Sequence, residues 1–344
     1  MDLLKLHLYA RGKKGSGITP SGIIAINENG DHDVTEYASA AVNVPVGVFP
    51  EGDLNIVENG SYDVTQYVNV NVEVSTGGSG GGGAEATAEW FARNSTELTS
   101  NATKVGTSVF EGDSRTTKVS FPAATLVESK AFKECSTLVS ADFPAVESVG
   151  DYAFQSCTAL ANINAPLLKS TGIYAFHKTA ITVANFPEMP TVNQSAFAYC
   201  SKLISADLPS ATVIKTQAFQ NCTALVSINF PMVTELNANV LEGCTALTTA
   251  DFPNVNKVYG SAFLSSSSLT AVILRKNAVS SLVHTSAFNG TPIASGTGYI
   301  YVPAALLDQY KAATNWSTYA AQFRALEDYT VDGTTTGALD LSKI

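Results

Sequence analysis

Charged side chains are scarce in this chain of 344 residues. Asp, Glu, Lys and Arg make up 15% of it, whereas soluble domains usually carry about a quarter. Acidic residues outnumber basic ones by 30 to 20, which gives a formal net charge of −10. The one basic cluster, Arg11-Gly12-Lys13-Lys14, is predicted to be a solvated tail. Because nucleic-acid binding needs a basic surface against the phosphates, we expect no nucleic-acid partner.

Long apolar runs are missing as well. No stretch of about 18 apolar residues occurs, so we expect no insertion into a membrane. The opening residues, MDLLKLHLYARGKK, carry charges inside a short apolar stretch, and no small-residue cleavage site follows them. We therefore expect no secretory signal peptide.

Motifs for catalysis are also absent. No Gly-x-Ser-x-Gly nucleophile motif is present, and no histidine belongs to a motif that would make it a base or a metal ligand. We expect His177, beside Phe176, to lie at the surface. The sequence thus predicts no catalytic residue, no metal site and no cofactor.

What the chain has in abundance is repetition. The pattern Ala-Phe-x-x-Cys-x-x-Leu, followed by an apolar run that ends in proline, returns every 22 residues with one step of 21 and one of 25. A fixed period between about 20 and 30 residues is typical of a solenoid, in which stacked units share one core. The anchors of the pattern are Phe110, Phe132, Phe154, Phe176, Phe197, Phe219, Leu241, Phe263 and Phe288.

Each unit is predicted to be one coil. In LVSADFP, at 138–144, the alternation places Leu138, Ala141 and Phe143 inward and Asp142 outward, as in a short strand. The repeated aromatic and thiol side chains are expected to fill the interior. We interpret the cysteines as buried free thiols, because one cysteine per period with no C-x-x-C pair argues against zinc and against a disulfide framework. The predicted core residues are Phe132, Phe154, Phe176, Phe197, Phe219, Phe263, Cys135, Cys157, Cys200, Cys222 and Cys244.

The register of these units resembles the BspA-like leucine-rich repeats, over residues from about 94 to 296. The resemblance implies a mainly β fold, a curved solenoid of about nine coils that is used for recognition on bacterial surfaces and in phage particles. Departures are small: Thr179 and Ser266 stand where cysteine is expected, and Leu241 replaces a phenylalanine. After the repeats, a strand and an amphipathic helix are predicted to cap the last coil.

The first part of the chain has a different repeat. Residues 22–44 and 52–74 are similar to each other, and each contains an Asn-Gly pair, at 29–30 and 59–60, that predicts a β-hairpin. These repeats resemble those of tail-associated proteins from phages and prophages of gut Firmicutes. The predicted division is an N-terminal segment (1–21), hairpin repeats for virion attachment (22–74), a Gly-rich linker (75–89), the solenoid (90–296), a C-terminal cap (297–329) and a tail (330–344).

Asp or Asn occupies the position two residues before most of the repeat prolines. Because outward residues of stacked coils lie in line, these side chains are predicted to form a polar row across the sheet. A row of this kind either is simply the solvated face of a strand or recognises a glycan or a protein loop. Its members are Asp142, Asn164, Asn185, Asp207, Asn229 and Asp251.

An enzyme is the weakest of the functions considered. A glycosidase needs two carboxylates about 5–9.5 Å apart. With a coil spacing of about 4.8 Å, Asp142 and Asp207 are expected about 14 Å apart, and Asp207 and Asp251 about 10 Å apart. Only the second pair approaches the distance for an inverting mechanism.

The predicted function is therefore non-enzymatic recognition. Our main prediction is a phage virion protein of a tail or other surface appendage, in which the N-terminal module contacts other virion proteins and the solenoid binds a glycan or protein on the host surface. The alternatives are a bacterial cell-surface adhesin of the BspA-like family and, least favoured, a carbohydrate-degrading enzyme. A homo-oligomer is compatible with each of them.

Overall fold

The computed structural model describes residues 96–340 and residue 343 in full, and before them the backbone of seven strands. Among those strands, Ser21–Ala25 and Ser39–Val44 pair in parallel. Strands Asp53–Ile56 and Asn71–Val74 do the same. The seven strands are Leu4–Ala10, Ser21–Ala25, Ser39–Val44, Asp53–Ile56, Gly60–Tyr62, Asn71–Val74 and Glu85–Ala86.

These pairings differ from the predicted hairpins. A two-residue turn joins antiparallel strands, whereas parallel strands need a longer crossover connection. The only antiparallel pairs described in this part of the chain join Leu4–Ala10 to Ser39–Val44 and to Gly60–Tyr62. Residues 29, 30 and 59 of the Asn-Gly pairs lie outside the described residues.

From residue 96 onward the chain is the predicted β-solenoid, and each coil contributes a strand to a first face. Successive strands of this face pair in parallel and in register, for example Ser140 with Asn162 and Asp142 with Asn164. The first face is divided into three sheets, with divisions after residue 164 and after residue 229. Its strands are Glu97–Thr99, Lys118–Ser120, Ser140–Asp142, Asn162–Asn164, Val183–Asn185, Ser205–Asp207, Ser227–Asn229, Thr249–Phe252, Ala271–Leu274, Tyr299–Val302 and Phe323–Ala325.

A second face follows the repeat proline, with two-residue strands that also stack in parallel. Proline has no N–H to donate to a ladder, so the first-face strand ends before it. The strands of the second face are Glu85–Ala86, Lys104–Val105, Leu126–Val127, Ser148–Val149, Ser170–Thr171, Thr191–Val192, Val213–Ile214, Glu235–Leu236, Lys257–Val258 and Ser281–Leu282.

A third side of the coil, here called the turn face, carries the Ala-Phe motif. The residues two before and two after the phenylalanine have positive φ, for example 58° at Lys130 and 63° at Glu134 around Phe132. Such left-handed backbone costs a non-glycine residue about 1–2 kcal/mol. Hydrogen bonds to the next coil offset that cost: the N–H of Phe132 donates to the carbonyl of Ala153 at 2.8 Å. The tight corner explains why the segment is not a third strand.

The interior is a column of stacked rings. Consecutive phenylalanines of the motif from Phe110 to Phe219 have ring centroids 4.9–5.4 Å apart and planes within 8° of parallel. All six predicted core phenylalanines and all five cysteines are buried, and Leu241 fills the same place in its own coil. Burying large apolar side chains in one continuous column is what holds units together that are too small to fold alone.

The C-terminal cap is more broken than the single amphipathic helix predicted for it. The strand Tyr299–Val302 is present, and Tyr310 and Trp316 are fully buried over the last coil. The chain then returns as an additional strand, Phe323–Ala325, which pairs in parallel with Tyr299–Val302. The α-helices of the described region are Pro292–Ser295 and Leu307–Ala312, and the 3₁₀ helices are Thr285–Phe288, Ala304–Leu306, Trp316–Gln322 and Leu326–Tyr329. None of the described helices has the length and apolar character needed to span a membrane.

Candidate functional site: the first face and the turn face

The cysteine column is part of the structural core. Each thiol donates a hydrogen bond to the carbonyl of a motif phenylalanine in the preceding coil, such as Cys135 to Phe110 at 2.9 Å and Cys200 to Phe176 at 3.0 Å. Ser266, in the place of a cysteine, donates in the same way to the carbonyl of Leu241 at 2.7 Å, whereas the Thr179 hydroxyl donates to Phe176 of its own coil at 2.9 Å. The position therefore suits a side chain that is small and carries one hydrogen-bond donor, and cysteine meets both requirements.

Burial makes these thiols unreactive. It raises the pKa of Cys200 to about 11 and that of Cys244 to about 12, because the thiolate would lose its hydration in the core. All five cysteines are free. Within residues 96–340, no group of three or more His, Cys, Asp or Glu side chains is arranged to hold a metal ion.

Alkylation should distinguish free buried thiols from bridged ones. Because the thiols are buried, iodoacetamide under native conditions should label none of them, and in denaturant without reductant it should label all five. Intact-mass measurement after each step gives the count. A native protein that takes up label, or an unfolded one that needs reductant to be labelled, would contradict the core assignment.

The polar row lies on the first face, in the places that the repeat predicts. Each member of the row is the last outward-facing residue of its strand. Asn164, Asn185 and Asn229 are exposed, and Asp142 and Asp207 are half-buried. Adjacent side chains bond to each other along the row. The Asn164 amide donates to Asp142 at 2.7 Å, and the Asn229 amide donates to Asp207 at the same distance. The carboxylates of Asp142 and Asp207 are therefore each paired with the amide of the following coil.

Asp251 has a different environment from the rest of the row. Arg275 binds its carboxylate through two nitrogens at 2.6–2.9 Å, and the same guanidinium donates to the carbonyls of Thr335 and Gly337. The C-terminal residues thus lie against the end of the first face. The part of the polar row that is available to a ligand therefore ends at Asn229. The carboxylate that a glycosidase would need at Asp251 is held in an ion pair.

A row of exposed aliphatic side chains accompanies the polar row and was not anticipated from the sequence. Val139, Ile204 and Val226 each stand immediately before a strand of the first face and are 42–50% exposed, and Val183, 51% exposed, begins its strand one position later, in register with Ser205. Isolated exposed aliphatics are ordinary. Four on nearby coils, beside hydrogen-bonding groups, form a mixed surface of the kind found at protein interfaces. These exposed aliphatic side chains could have been identified from the sequence, because each precedes or begins a strand whose neighbouring outward positions are polar.

His177 is buried, which corrects the surface position expected for it. Its side chain lies on the turn face and is 9% exposed, and its Nδ1 has no hydrogen-bond partner in the described part of the chain. Burial, together with the nearby Lys178 charge, lowers the pKa of His177 to about 4. The imidazole is therefore neutral near pH 7. The prediction failed because tyrosines from two coils cover the ring, and sequence spacing does not reveal that contact.

The polar groups of the first face are arranged as a repeat along the coils. Its carboxylates are bonded to amides or to Arg275, and its polar groups repeat with the coil spacing instead of converging on one point. Such an arrangement suits an extended ligand that contacts several coils. The fold is that of a leucine-rich-repeat β-solenoid. Its strands stack in parallel, its core repeats phenylalanine and leucine, and most of its coils have 22 residues.

Within that class, the family is given by comparison with family models. The BspA type leucine rich repeat region matches residues 89–204 and 190–300, in six copies. These matches cover more than half of the chain, so the protein belongs to the BspA-type leucine-rich repeat family. A search of curated proteins found no match.

Several solved structures are similar to the chain. A leucine-rich repeat protein from Bacteroides ovatus is 22% identical, with a TM-score of 0.45. The alignment covers 58% of each chain, so this chain spans little more than half the length of that relative. The leucine-rich repeat protein of T. pallidum is 31% identical over 41% of this chain and 72% of its own, with a TM-score of 0.39. A leucine-rich cell surface protein from Faecalibacterium prausnitzii is 15% identical over 88% of this chain and 91% of its own, with a TM-score of 0.29.

Proposed function

We propose that this chain is a non-enzymatic recognition protein of a bacterial cell surface, and that the first face of its solenoid binds an extracellular glycan or protein. The observation that carries the proposal is the combination of the polar row with the exposed aliphatic row over the same coils. Membership in the BspA-type family supports it, because this family resemblance implies recognition at bacterial surfaces. The proposed surface is Asp142, Asn164, Asn185, Asp207 and Asn229 with the aliphatic row beside them.

The affinity of such a surface for its ligand comes from the number of contacts and not from any single one. One net hydrogen bond contributes about 0.5–1.5 kcal/mol, so several coils must contact the ligand together. Display of many copies on one cell raises the apparent affinity further, because a second contact forms within an already bound pair of surfaces. The amide and carboxylate groups supply both donors and acceptors, which suits the hydroxyls of a sugar chain or the backbone of an extended peptide.

A double substitution in the row tests this role. Replacing Asn185 and Asp207 together by alanine should weaken ligand binding by tenfold or more, because two adjacent coils lose their polar contacts. The folded state should be little affected, since substitutions at exposed or half-exposed positions usually change stability by about 0.5 kcal/mol or less. Binding is measured by surface plasmon resonance against immobilised mucin, fibronectin and capsular polysaccharides, and stability by thermal unfolding.

The matched control carries two substitutions on the same two coils, Glu188→Ala and Ser210→Ala. Both side chains are exposed in the corner after the repeat proline, away from the row, and the pair also removes one negative charge. The control should bind as the unaltered chain does. Equal loss in both variants, or no loss in the first, would mean that the first face is not the binding surface.

A second candidate, a phage or prophage virion protein, is favoured by one observation: the sequence repeats at 22–44 and 52–74 resemble tail-associated proteins. In that case the N-terminal module attaches to other virion proteins and the solenoid still binds a host-surface target. Immunogold labelling separates the two candidates. Label on intact, uninduced cells supports the surface protein, and label confined to particles released after prophage induction supports the virion protein.

A further inference from the structure

The backbone pairing of the first face is interrupted at two places. Asn162–Asn164 is not paired with Val183–Asn185, and Ser227–Asn229 is not paired with Thr249–Phe252. All other neighbouring strands of the first face between residues 97 and 325 are paired in parallel. We call the two interruptions the first seam and the second seam. At each seam, two strand edges face each other without forming a ladder.

The seams leave the interior partly uncovered at two equivalent positions. Each first-face strand has an inward residue between two outward ones, and in strands paired on both sides this residue is buried, as at Val119 and Ala206. The corresponding residues of the strands that precede the seams, Ile163 and Ile228, are only half-buried. The strand that would cover each of them on one side is not bound to theirs. A ligand on the first face can therefore contact both isoleucines.

An exposed valine borders each seam. Val183, 51% exposed, begins the strand after the first seam, and Val226, 50% exposed, immediately precedes the strand before the second seam. Each seam thus brings a half-buried isoleucine and an exposed valine to the same part of the first face. Because water is released when such apolar surface is covered, an apolar side chain of a ligand is stabilised there.

The distance between the seams matches the repeat of an extended polypeptide. Ile163 and Ile228 are three coils apart, and with a coil spacing of about 4.8 Å this separation is about 14 Å. An extended chain advances about 3.4 Å per residue, and alternate side chains point to the same side. Residues i and i+4 of such a chain therefore lie about 13–14 Å apart on one side. A segment laid along the solenoid axis places one of them at each seam.

Asp207 lies midway between the seams. Its strand is the middle one of the three that the seams enclose, and it is the one charged residue in those three strands. The carboxylate accepts a hydrogen bond from the Asn229 amide at 2.7 Å, and a carboxylate can accept several more. Residue i+2 of an extended segment points to the same side as i and i+4, so it faces Asp207. Charge complementarity favours lysine or arginine at that residue.

We propose that the first face between the seams binds an extended segment of a partner protein, with apolar residues i and i+4 at the two seams and a basic residue i+2 on Asp207. The proposal rests on the recognition function proposed above and names the ligand of that surface. The exposed amides of Asn185 and Asn229 supply donors and acceptors for the peptide groups of the segment. Because an exposed ion pair alone adds little affinity, the two apolar contacts and the charge must act together.

Fluorescence polarisation on the full chain tests the proposal with a labelled peptide that has Ile-Thr-Lys-Thr-Ile between Gly-Ser flanks. Its β-branched residues favour the extended conformation. One control peptide has glutamate in place of the lysine, and the other has a serine inserted before the second isoleucine, which turns that side chain to the opposite side. The test peptide should bind at least tenfold more tightly than either control. Added salt should weaken its binding, because the charge pair is exposed to solvent.

Variants of the chain locate the contacts. Asp207→Asn should weaken binding of the test peptide by tenfold or more, and Asp207→Lys should bind the glutamate peptide in preference to it. The matched control is Glu188→Gln, which removes an exposed carboxylate from a coil between the seams but in the corner after the repeat proline. Ile228→Ala should also weaken binding by tenfold or more, whereas Val119→Ala, at the same inward position of a coil paired on both sides, should bind normally. Circular dichroism at the assay temperature confirms that each variant is folded.

Three results would overturn the seam proposal. They are equal binding of the three peptides, binding of none of them, and equal losses in Asp207→Asn and Glu188→Gln. The proposed function fails separately. If no peptide binds but Asn185→Ala/Asp207→Ala loses binding to mucin, fibronectin or a capsular polysaccharide, the extended peptide is rejected as the ligand and the first face remains the binding surface.

Discussion

Replacing Phe197 by alanine should lower the free energy of unfolding by about 3–5 kcal/mol. The ring is fully buried in the middle of the column. It stacks between Phe176 at 5.2 Å and Phe219 at 5.3 Å, and Phe186 lies 5.9 Å away. Neighbouring rings held by their own coils cannot move far into the space, so most of the cavity remains and its cost is not recovered. Urea unfolding followed by circular dichroism measures the change.

The matched control for this substitution is Tyr199→Ala, which removes an aromatic ring from the same coil. Because Tyr199 is 44% exposed and lies outside the column, the control should cost less than about 1 kcal/mol. A loss below 1 kcal/mol in Phe197→Ala, or equal losses in the two variants, would show that the motif phenylalanine does not carry the packing of the column.

Replacing Trp316 by alanine should destabilise the protein by at least a similar amount, about 3–5 kcal/mol for the cavity. The indole is buried against Phe288 and Tyr310. Its Nε1 donates to the carbonyl of Ser280 at 2.6 Å. Removing it leaves that buried carbonyl without its donor, which adds about 1–3 kcal/mol. The last coil also loses its cover, and an uncovered coil exposes apolar surface and strand edges.

The region that loses stability in Trp316→Ala should identify Trp316 as a cap residue. Contacts in a solenoid are between neighbouring coils, so loss of the cap should be felt mainly by the final coils. Hydrogen exchange should show lost protection in residues 257–302 and near-normal protection in residues 118–164. Trp316→Phe, which keeps most of the packing and loses the hydrogen bond, should cost about 1–3 kcal/mol. Uniform loss of protection along the chain would contradict the assignment of Trp316 to the cap.

The sequence was sufficient for the solenoid and its interior because both depend on local periodicity. A period of 22 residues, with Phe154 and Cys157 in the same phase as their counterparts, admits one stacking in which all of them are buried. The outward direction of Asp142 followed from the two-residue alternation of a strand. The cap was predicted only in part, because the return strand Phe323–Ala325 is defined by its pairing and not by its composition.

Only the tertiary structure determined the contacts between residues that do not occupy equivalent positions in the repeat. Asp251 has the same place in its unit as Asp207, yet Arg275 binds its carboxylate and also donates to the carbonyls of Thr335 and Gly337, about 60 positions beyond the arginine. His177 has the sequence surroundings of a surface corner, but Tyr174 and Tyr199 bury it. Periodicity determines which side of a coil a residue occupies. Which neighbours then cover it depends on individual side chains from other coils and from the C-terminal tail, and that is settled only when the coils are stacked.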